Sequence, residues 1–365
     1  MTRHPISSSP LFIFIMAGGS GERFWPASRK STPKHLLRIL SDETLLEQTI
    51  RRFEGVVPRE HIFVLTNEAQ VEATFQAIPH HPRKNIIAEP AKRDTAPAAT
   101  LATAIALHHN PDAILGLFPA DAMIHERTLF QEQILEASSL AASSHALITF
   151  SIKPSNPSSS FGYLKLGEVL THNYERKTIF RSVDSFVEKP SQEKAKEFLA
   201  SGDYGWNAGM FLWKGECFLE ECRRQQPLLA DFAGELIRSA IPESVILEKF
   251  STLPKISVDY AIMEHAEKVI AAIATFDWDD VGHWTALPKH LGVDAFGNTI
   301  KTNTHAIITH DAKNNIVLSQ DSPEKIITLC GVDNLVVVQT HDAILICHRN
   351  AVEKIKALQL PEEVK

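Results

Sequence analysis

Only four cysteines, Cys217, Cys222, Cys330 and Cys347, stand in 365 residues, with no Cys-x-x-Cys pair and no companion histidine spacing. That argues against a structural zinc site and leads to the expectation of a reduced, cytoplasmic setting. Long apolar runs are missing too. The longest early one, residues 11–17, is too short to span a bilayer and leads into a glycine loop rather than a small-residue cleavage site, so neither a membrane anchor nor a secretory leader is expected. Nor is there an excess of positive charge: 44 Asp and Glu outnumber 37 Lys and Arg, giving a formal charge of -7. No global field therefore attracts nucleic acid or an anionic membrane, and any phosphate site must be built locally. What remains is an ordinary globular composition, 44% hydrophobic and 22% charged. It excludes disordered and fibrous classes and leaves length for a large core plus a second small domain.

Residues 1–10, ending in Ser8-Ser9-Pro10, read as a loose arm. Beyond them, short β-rich runs alternate with longer helical patterns, the signature of a largely parallel sheet covered by helices on both faces. Strands are expected over 11–17, 61–67, 85–88, 113–118 and 146–152, and helices over 44–53, 97–108 and 126–142. Thr44 followed three residues on by Glu47 is a capping box, and Leu46, Ile50 and Phe53 repeat at helical spacing. The Ser/Pro-rich stretch 155–160 marks a loop, after which strands (186–189, 210–213) and helices (192–200, 216–225) continue the α/β pattern. From about Asn298 the texture changes to closely spaced β runs, 306–309, 315–318, 325–329, 335–339 and 343–347, and a last helix over 351–358. The fold expected is α/β: a Rossmann-like doubly wound mixed sheet over 11–296, and a small β-rich domain over 297–365.

The first strand runs into Gly18-Gly19-Ser20-Gly21-Glu22-Arg23-Phe24-Trp25-Pro26, and Lys34 follows Pro33. Glycines let backbone amides approach a phosphate closely, while Arg23 and Lys34 supply positive charge for a triphosphate. A glycine-rich turn alone is also compatible with a plain strand-to-helix turn. The spacing is not Gly-x-Gly-x-x-Gly, because Arg23 and Phe24 fall where the third glycine should be and Trp25-Pro26 breaks the following helix. No Gly-Lys-Ser/Thr closes a Walker loop either.

The string 18–26 with Ser28-Arg29 and Pro33-Lys34 resembles the signature of the nucleoside-diphosphate-sugar pyrophosphorylase family, and its Phe-Trp-Pro variant is similar to the mannose-1-phosphate guanylyltransferase branch. Further matches recur in order: Glu89-Pro90-Ala91-Lys92-Arg93-Asp94-Thr95-Ala96-Pro97, Phe118-Pro119-Ala120-Asp121, Val187-Glu188-Lys189-Pro190, Trp206-Asn207-Ala208-Gly209-Met210-Phe211, and Trp278-Asp279-Asp280-Val281-Gly282-His283-Trp284. The likeness spans nearly the whole chain and makes the C-terminal β domain helix-like in its stacking.

That resemblance implies a catalytic set of Arg23, Lys34, Asp121 and Asp280. Asp121 follows the expected strand 113–118 after two intervening residues, where α/β sheets gather ligands, and a hard divalent ion takes one or two carboxylates plus substrate phosphates. Mg²⁺ between Asp121 and Asp280 is the implied cofactor, with Asp277 and Asp279 as rivals of Asp280. Ala17, Gly18, Gly19, Gly21, Arg23, Glu89, Pro90, Arg93 and Thr95 are implied to bind the nucleotide. Gly162, Glu188, Lys189 and Asn207 are implied to bind the sugar phosphate. The implied partners are GTP and mannose 1-phosphate, with no nucleic acid and no membrane; a homo-oligomer stays open.

Trp25, Trp206, Trp213, Trp278 and Trp284 are candidates for core or site walls, and the scattered histidines receive no metal or catalytic role. Departures from the family pattern are Asp94 for the usual Asn, Ala122 for the usual His, and the loop Ser159-Ser160-Phe161-Gly162-Tyr163. Three other readings stay open: the same chemistry with another base or hexose, a non-catalytic sugar-nucleotide-binding homologue, and a nicotinamide oxidoreductase. The retained Arg23, Lys34, Asp121 and Asp280 oppose the second, and the loop spacing opposes the third. Fusion to a phosphomannose isomerase, found in longer relatives, is not expected of 365 residues.

Overall fold

The computed structural model describes residues 10–19, 21–170, 177–302, 307–320 and 326–364. The expected arm up to Ser9, the loop residue Ser20, and Ala306 and Lys325 at the heads of two expected strands lie outside the described residues. The main sheet is built from β1 (Leu11–Met16), β2 (Ile62–Asn67), β3 (Ile86–Glu89), β4 (Ile114–Pro119), β5 (Leu147–Ile152), β6 (Tyr163–Val169), β7 (Phe180–Val187), β8 (Tyr204–Lys214) and β9 (Val269–Ile273). Their order is β3-β2-β1-β4-β8-β5-β9-β7-β6. The first four are parallel, because helices α1 (Leu45–Phe53), α2 (Val71–Ala77) and α3 (Thr95–His109) return the chain to the same edge. α4 (Arg127–Ser143) then leads into β5. β8 runs antiparallel to both β4 and β5 and wedges between them, so the sheet is mixed.

Side-chain alternation along β1 divides the interior. Phe12 and Phe14 face a core closed by the alanine-rich α3 and, further along the chain, by α6 (Gly215–Gln225) and α7 (Pro227–Arg238), while α5 (Gln192–Ser201) packs through Ala195 and Phe198 on Tyr163 and Trp206. Ile13 and Ile15 face the opposite core, closed by α1 and α4. α1 begins with the expected capping box: Thr44 Oγ1 accepts the Glu47 amide at 3.0 Å, and the Glu47 carboxylate accepts the Thr44 amide at 2.7 Å. Two shorter helices follow α7, α8 (Glu243–Lys249) and α9 (Val258–Ala261). No helix among the described residues is long and apolar enough to cross a membrane.

The small domain contains β10 (Thr299–Thr302), β11 (Ile307–His310), β12 (Ile316–Ser319), β13 (Ile327–Cys330), β14 (Leu335–Gln339) and β15 (Ile344–His348). β10, β12 and β14 stack in parallel on one face and β11 and β13 on the other, as successive turns of a coil, and β15 closes it antiparallel to β14. An asparagine ladder joins the corners. Asn298 Oδ1 accepts the Asn315 side-chain amide at 3.1 Å, and Asn315 Oδ1 accepts the Leu335 amide at 2.9 Å. Asn315→Ala leaves the Leu335 amide without its acceptor and takes a side-chain donor from Asn298 Oδ1 and the Val332 carbonyl, and is expected to cost about 2 kcal/mol, read by denaturant unfolding; no change would deny the ladder its role. The last expected helix is corrected to a 3-10 segment, Arg349–Ala357, whose buried Val352 and Ile355 are three apart, the period of that tighter turn.

The two domains share a core. Ile316, Leu318, Val336, Val338, Val352 and Ile355 of the coil pack with Phe24, Leu37, Val281 and Trp284. The segments carrying Arg23, Lys34 and Asp280 are thus held by the small domain.

Candidate active site

β1 and β4 are parallel neighbours with Met16 opposite Pro119, so the glycine loop and Asp121 leave the sheet side by side. Ala17 is tied down by its amide to the Leu65 carbonyl (2.7 Å) and by its carbonyl to the Thr66 hydroxyl (3.0 Å). The amides of Gly18 and Gly19 donate to no group among the described residues, which leaves them for an anion. Gly21 sits at φ 65°, and a Cβ there would lie 2.4 Å from that of Lys34; only glycine lets the loop close on this lysine. A single 3-10 turn, Glu22–Phe24, follows instead of a long helix.

Lys34 is buried. Its ammonium donates to Asp121 Oδ2 at 2.8 Å and to the Asp280 carbonyl at 2.6 Å, joining the ends of the two expected metal-ligand segments. Backbone bonds between Met123 and Asp279 (2.8 and 3.0 Å) fix the same junction. The three acids of residues 277–280 have different tasks. Asp277 accepts the amides of His125 and Glu126, at the head of α4. Asp279 accepts the Val281 amide and the Lys289 ammonium, and although burial opposes it, the His290 and Lys289 bonds hold its carboxyl well below the usual range. The Asp280 carboxylate accepts no hydrogen bond among the described residues; burial pushes its pKa up, the Lys34 ammonium opposes that, and the Asp279 and Asp121 charges add to the rise. Asp121 is driven up by burial but brought below its ordinary value by Lys34. Val281, next to Asp280, is fully buried at φ 44°, a strained setting for a β-branched residue and one that functional sites collect.

Arg52 and Thr49 of α1 support the Asp121 turn from beneath: Thr49 Oγ1 donates to the Ala120 carbonyl (3.1 Å) and Arg52 to that of Ala122 (2.6 Å). Sequence reasoning missed both, and it also missed His35, which is buried beside Asp121 and Lys34, has an Nε2 without a partner among the described residues, and is driven by burial down to about 4.

Arg23 stands on the other side of the loop, paired with Glu353 of the 3-10 segment (3.1 Å) and directed at the Gly282 carbonyl (3.4 Å). Glu89 ends β3 with its carboxylate beside Gly18; it has no partner among the described residues, and burial raises it to about 7. Pro90 continues from it. Arg93 and Thr95 turn elsewhere: the Arg93 guanidinium donates to the Ser251 carbonyl, and the Thr95 hydroxyl accepts the Val258 amide (2.8 Å). Asp94, at φ 67°, caps α3 through the Thr95 amide at 2.8 Å, a service that asparagine would also perform.

Gly162, Glu188, Lys189 and Asn207 come together where β6 begins, β7 ends and β8 passes beside them. The Asn207 amide donates to the Gly162 carbonyl (2.8 Å), and Lys189 pairs with Glu188 (3.0 Å) from φ 45°. The close approach to Gly162 is made by Glu188 itself, whose Oε2 would lie 2.4 Å from a Cβ there. The β4–β8 register ends at Leu117 opposite Phe211, and β8 bulges between Phe211 and Asn207; Trp278, two residues before Asp280, packs on Phe161 and joins the cluster to the segment that carries Asp280. Of the five tryptophans, Trp206 and Trp278 border it, both against Phe161 (4.8 and 5.5 Å) and both with unpartnered buried indole N–H groups. Trp213 and Trp284 are core, and Trp25 bonds to the Val364 carbonyl at 2.8 Å.

Among the described residues no three His, Cys, Asp or Glu side chains gather as a metal cage. Two carboxylates, one of them unpartnered, do fit a hard cation that draws its other ligands from phosphates and water.

Known families match the chain over most of its length. The family model described as Nucleotidyl transferase matches residues 13–291, and the one described as MannoseP isomerase/GMP-like beta-helix domain matches 305–358. The chain is similar to mannose-1-phosphate guanylyltransferase of Escherichia coli K12, 35% identical over 99% of this chain and 74% of that one. It is also similar to the alginate biosynthesis protein AlgA of Pseudomonas aeruginosa, 33% identical over 94% and 70%. A solved structure described as mannose-1-phosphate geranyltransferase from Thermus thermophilus superposes with a TM-score of 0.84 at 30% identity, over 95% of this chain and 97% of that one.

Proposed function

Because the chain belongs to the nucleotidyl transferase family, among the mannose-1-phosphate guanylyltransferases, we propose that it transfers GMP from GTP to α-D-mannose 1-phosphate. A phosphate oxygen of the sugar attacks the α-phosphorus, the bond to the β-phosphate breaks, and GDP-mannose and pyrophosphate form. The nucleophile is already anionic, so the protein's task is to align two polyanions and to offset their repulsion. The carrying observation is the junction of Lys34, Asp121 and Asp280 beneath the free amides of the glycine loop. In this reading Asp121 and Asp280 hold Mg²⁺, which would neutralise phosphate charge. Lys34 and Arg23 bind the phosphates, Arg23 after exchanging Glu353 for them. Glu188, Lys189 and Asn207 hold the sugar phosphate. The four free cysteines suit a cytoplasmic setting. The test is pyrophosphate release from a panel of nucleoside triphosphates and hexose 1-phosphates with and without Mg²⁺; no release with GTP and mannose 1-phosphate would refute it.

Glu89 is the proposed reader of the base. An ionised carboxylate can accept two N–H groups from guanine, whereas uracil offers one and adenine's ring edge offers a different pattern. Glu89→Gln is expected to lower kcat/KM for GTP about tenfold or more, since bonds to charged groups are worth about 1.5 to 3 kcal/mol. It also has a signature in stability. Burial raises this carboxyl from 4.5 to about 7, so ionising it costs the folded state progressively as pH rises through that window. The glutamine variant should therefore melt higher than the parent at pH 8 and no higher at pH 4. An equal difference at both pH values would contradict the buried-charge assignment.

A further inference from the structure

Asp259 has no part in the assignments above, yet it reaches the sugar cluster from a distant segment. It lies in the first turn of α9, which is fastened to the 93–96 motif: the Val258 amide donates to Thr95 Oγ1 (2.8 Å), the Ile256 amide to the Arg93 carbonyl (3.3 Å), and the Ala96 amide to the Ile256 carbonyl (3.1 Å). Arg93 and Thr95 thus act as the brace that delivers this turn. Asp259 Oδ1 accepts Asn207 Nδ2 at 2.9 Å, and its charge faces those of Glu188 and Lys189.

The orientation of the Asn207 amide is determined. Its Oδ1 receives the Gly209 amide (3.3 Å), a group that can only donate, and the Thr149 hydroxyl (2.8 Å). Nδ2 must therefore face Asp259, and it keeps one N–H for another acceptor. Besides its own backbone amide, the Asp259 carboxylate meets only the Asn207 side chain as a donor among the described residues, and burial together with the Glu188 charge makes it reluctant to ionise, raising it to about 7. Trp206, the residue before Asn207, is 5% exposed and its indole N–H has no acceptor among the described residues. Unspent donors and acceptors are thereby gathered at one point, where a buried polar group costs stability unless a ligand completes it.

We propose that Asp259 is a specificity-determining residue of the sugar-phosphate site, accepting a hexose hydroxyl beside the one to which Asn207 donates. The proposal rests on the reading of the Gly162–Glu188–Asn207 cluster as that site. A neighbouring acceptor and donor, both held by backbone-fastened elements, match two adjacent hydroxyls in one relative orientation. An epimer would leave one of the pair unmet.

The test compares wild type, Asp259→Asn and Asp259→Ser in steady-state kinetics, varying GTP, mannose 1-phosphate and glucose 1-phosphate separately, with calorimetric binding of each hexose phosphate. The expected result is a KM for mannose 1-phosphate about ten to a hundred times higher in the variants, a GTP KM within about twofold of the parent, and a smaller preference between the two hexoses. A buried strut without substrate contact would move both KM values together or neither, and either pattern overturns the proposal. So does failure of both variants to fold. Should the wild type turn over neither substrate, the guanylyltransferase reading falls, and the calorimetry still decides Asp259: hexose phosphate bound by the parent and weakly by Asp259→Asn supports it, and equal binding overturns it.

Discussion

Asp280→Asn is expected to lower turnover at least about a hundredfold while leaving the fold intact, and Asp121→Asn should do the same. A hundredfold corresponds to about 2.7 kcal/mol of transition-state stabilisation, a modest figure for removing one of the two anionic metal ligands proposed above. The stability expectation has its own grounds. The Asp280 carboxylate holds no hydrogen bond among the described residues, and burial and its acidic neighbours push it up, so neutralising it relieves the apo protein. Asp280→Asn should therefore melt at or above the parent without added metal, and should gain less than the parent when Mg²⁺ is added. Asp277→Asn and Asp279→Asn are the controls. Asp277 receives the His125 and Glu126 amides and Asp279 the Val281 amide and Lys289 ammonium, so each is expected to lose stability before chemistry. Near-parental turnover for Asp280→Asn, with a large loss for Asp279→Asn, would reverse the assignment.

Local signals carried the first half of the sheet, and non-local ones were out of reach. β1 to β5 stand within one residue of their expected ends because each is a short apolar run bounded by a turn or cap. β6 was passed over because its far half is exposed and charged, and β9 because Val-Ile-Ala-Ala-Ile is too short and alanine-rich to declare itself. The place of β8 between β4 and β5 depends on pairings across long separations, on which a linear pattern is silent. The coil has a readable mark in its corner pairs Gly297-Asn298, Asn314-Asn315 and Asp333-Asn334, but their uneven spacing hides the repeat from a search for a fixed period. In the candidate site, the motif strings pointed to Lys34, Asp121 and Asp280, which the fold brings together. They did not reveal that Thr95 braces α9, that Glu353 engages Arg23, or that Asp259 meets Asn207, because Ser257-Val258-Asp259 reads alone as an ordinary helix start.

Lys34→Met tests the junction from its cationic side. Methionine keeps much of the length and apolar stem of lysine, so the change removes charge from a nearly filled space rather than opening a cavity. Two losses follow. The first is in stability: the Lys34 ammonium overcomes burial and holds Asp121 below its ordinary value of 3.8, so the stabilisation it confers is present above that value and disappears as pH falls through the lower folded one. The variant should accordingly be less stable than the parent at pH 7 and converge with it as the pH falls below the lowered Asp121 value. The second is in chemistry: without the ammonium, the phosphates of the nucleotide meet Asp121 and Asp280 with less compensation, and kcat/KM for GTP should fall about a hundredfold or more, the scale seen when one preorganised donor is removed from a dry site. Added Mg²⁺ separates the two. A divalent ion held by Asp121 and Asp280 can replace the lost charge in the apo protein and restore melting, but it cannot occupy the position from which Lys34 is proposed to reach a phosphate. Restored stability with activity still low is therefore the expected pair of results. Recovery of both would reduce Lys34 to a counter-ion for Asp121, and unchanged GTP kinetics in the variant would remove it from phosphate binding altogether.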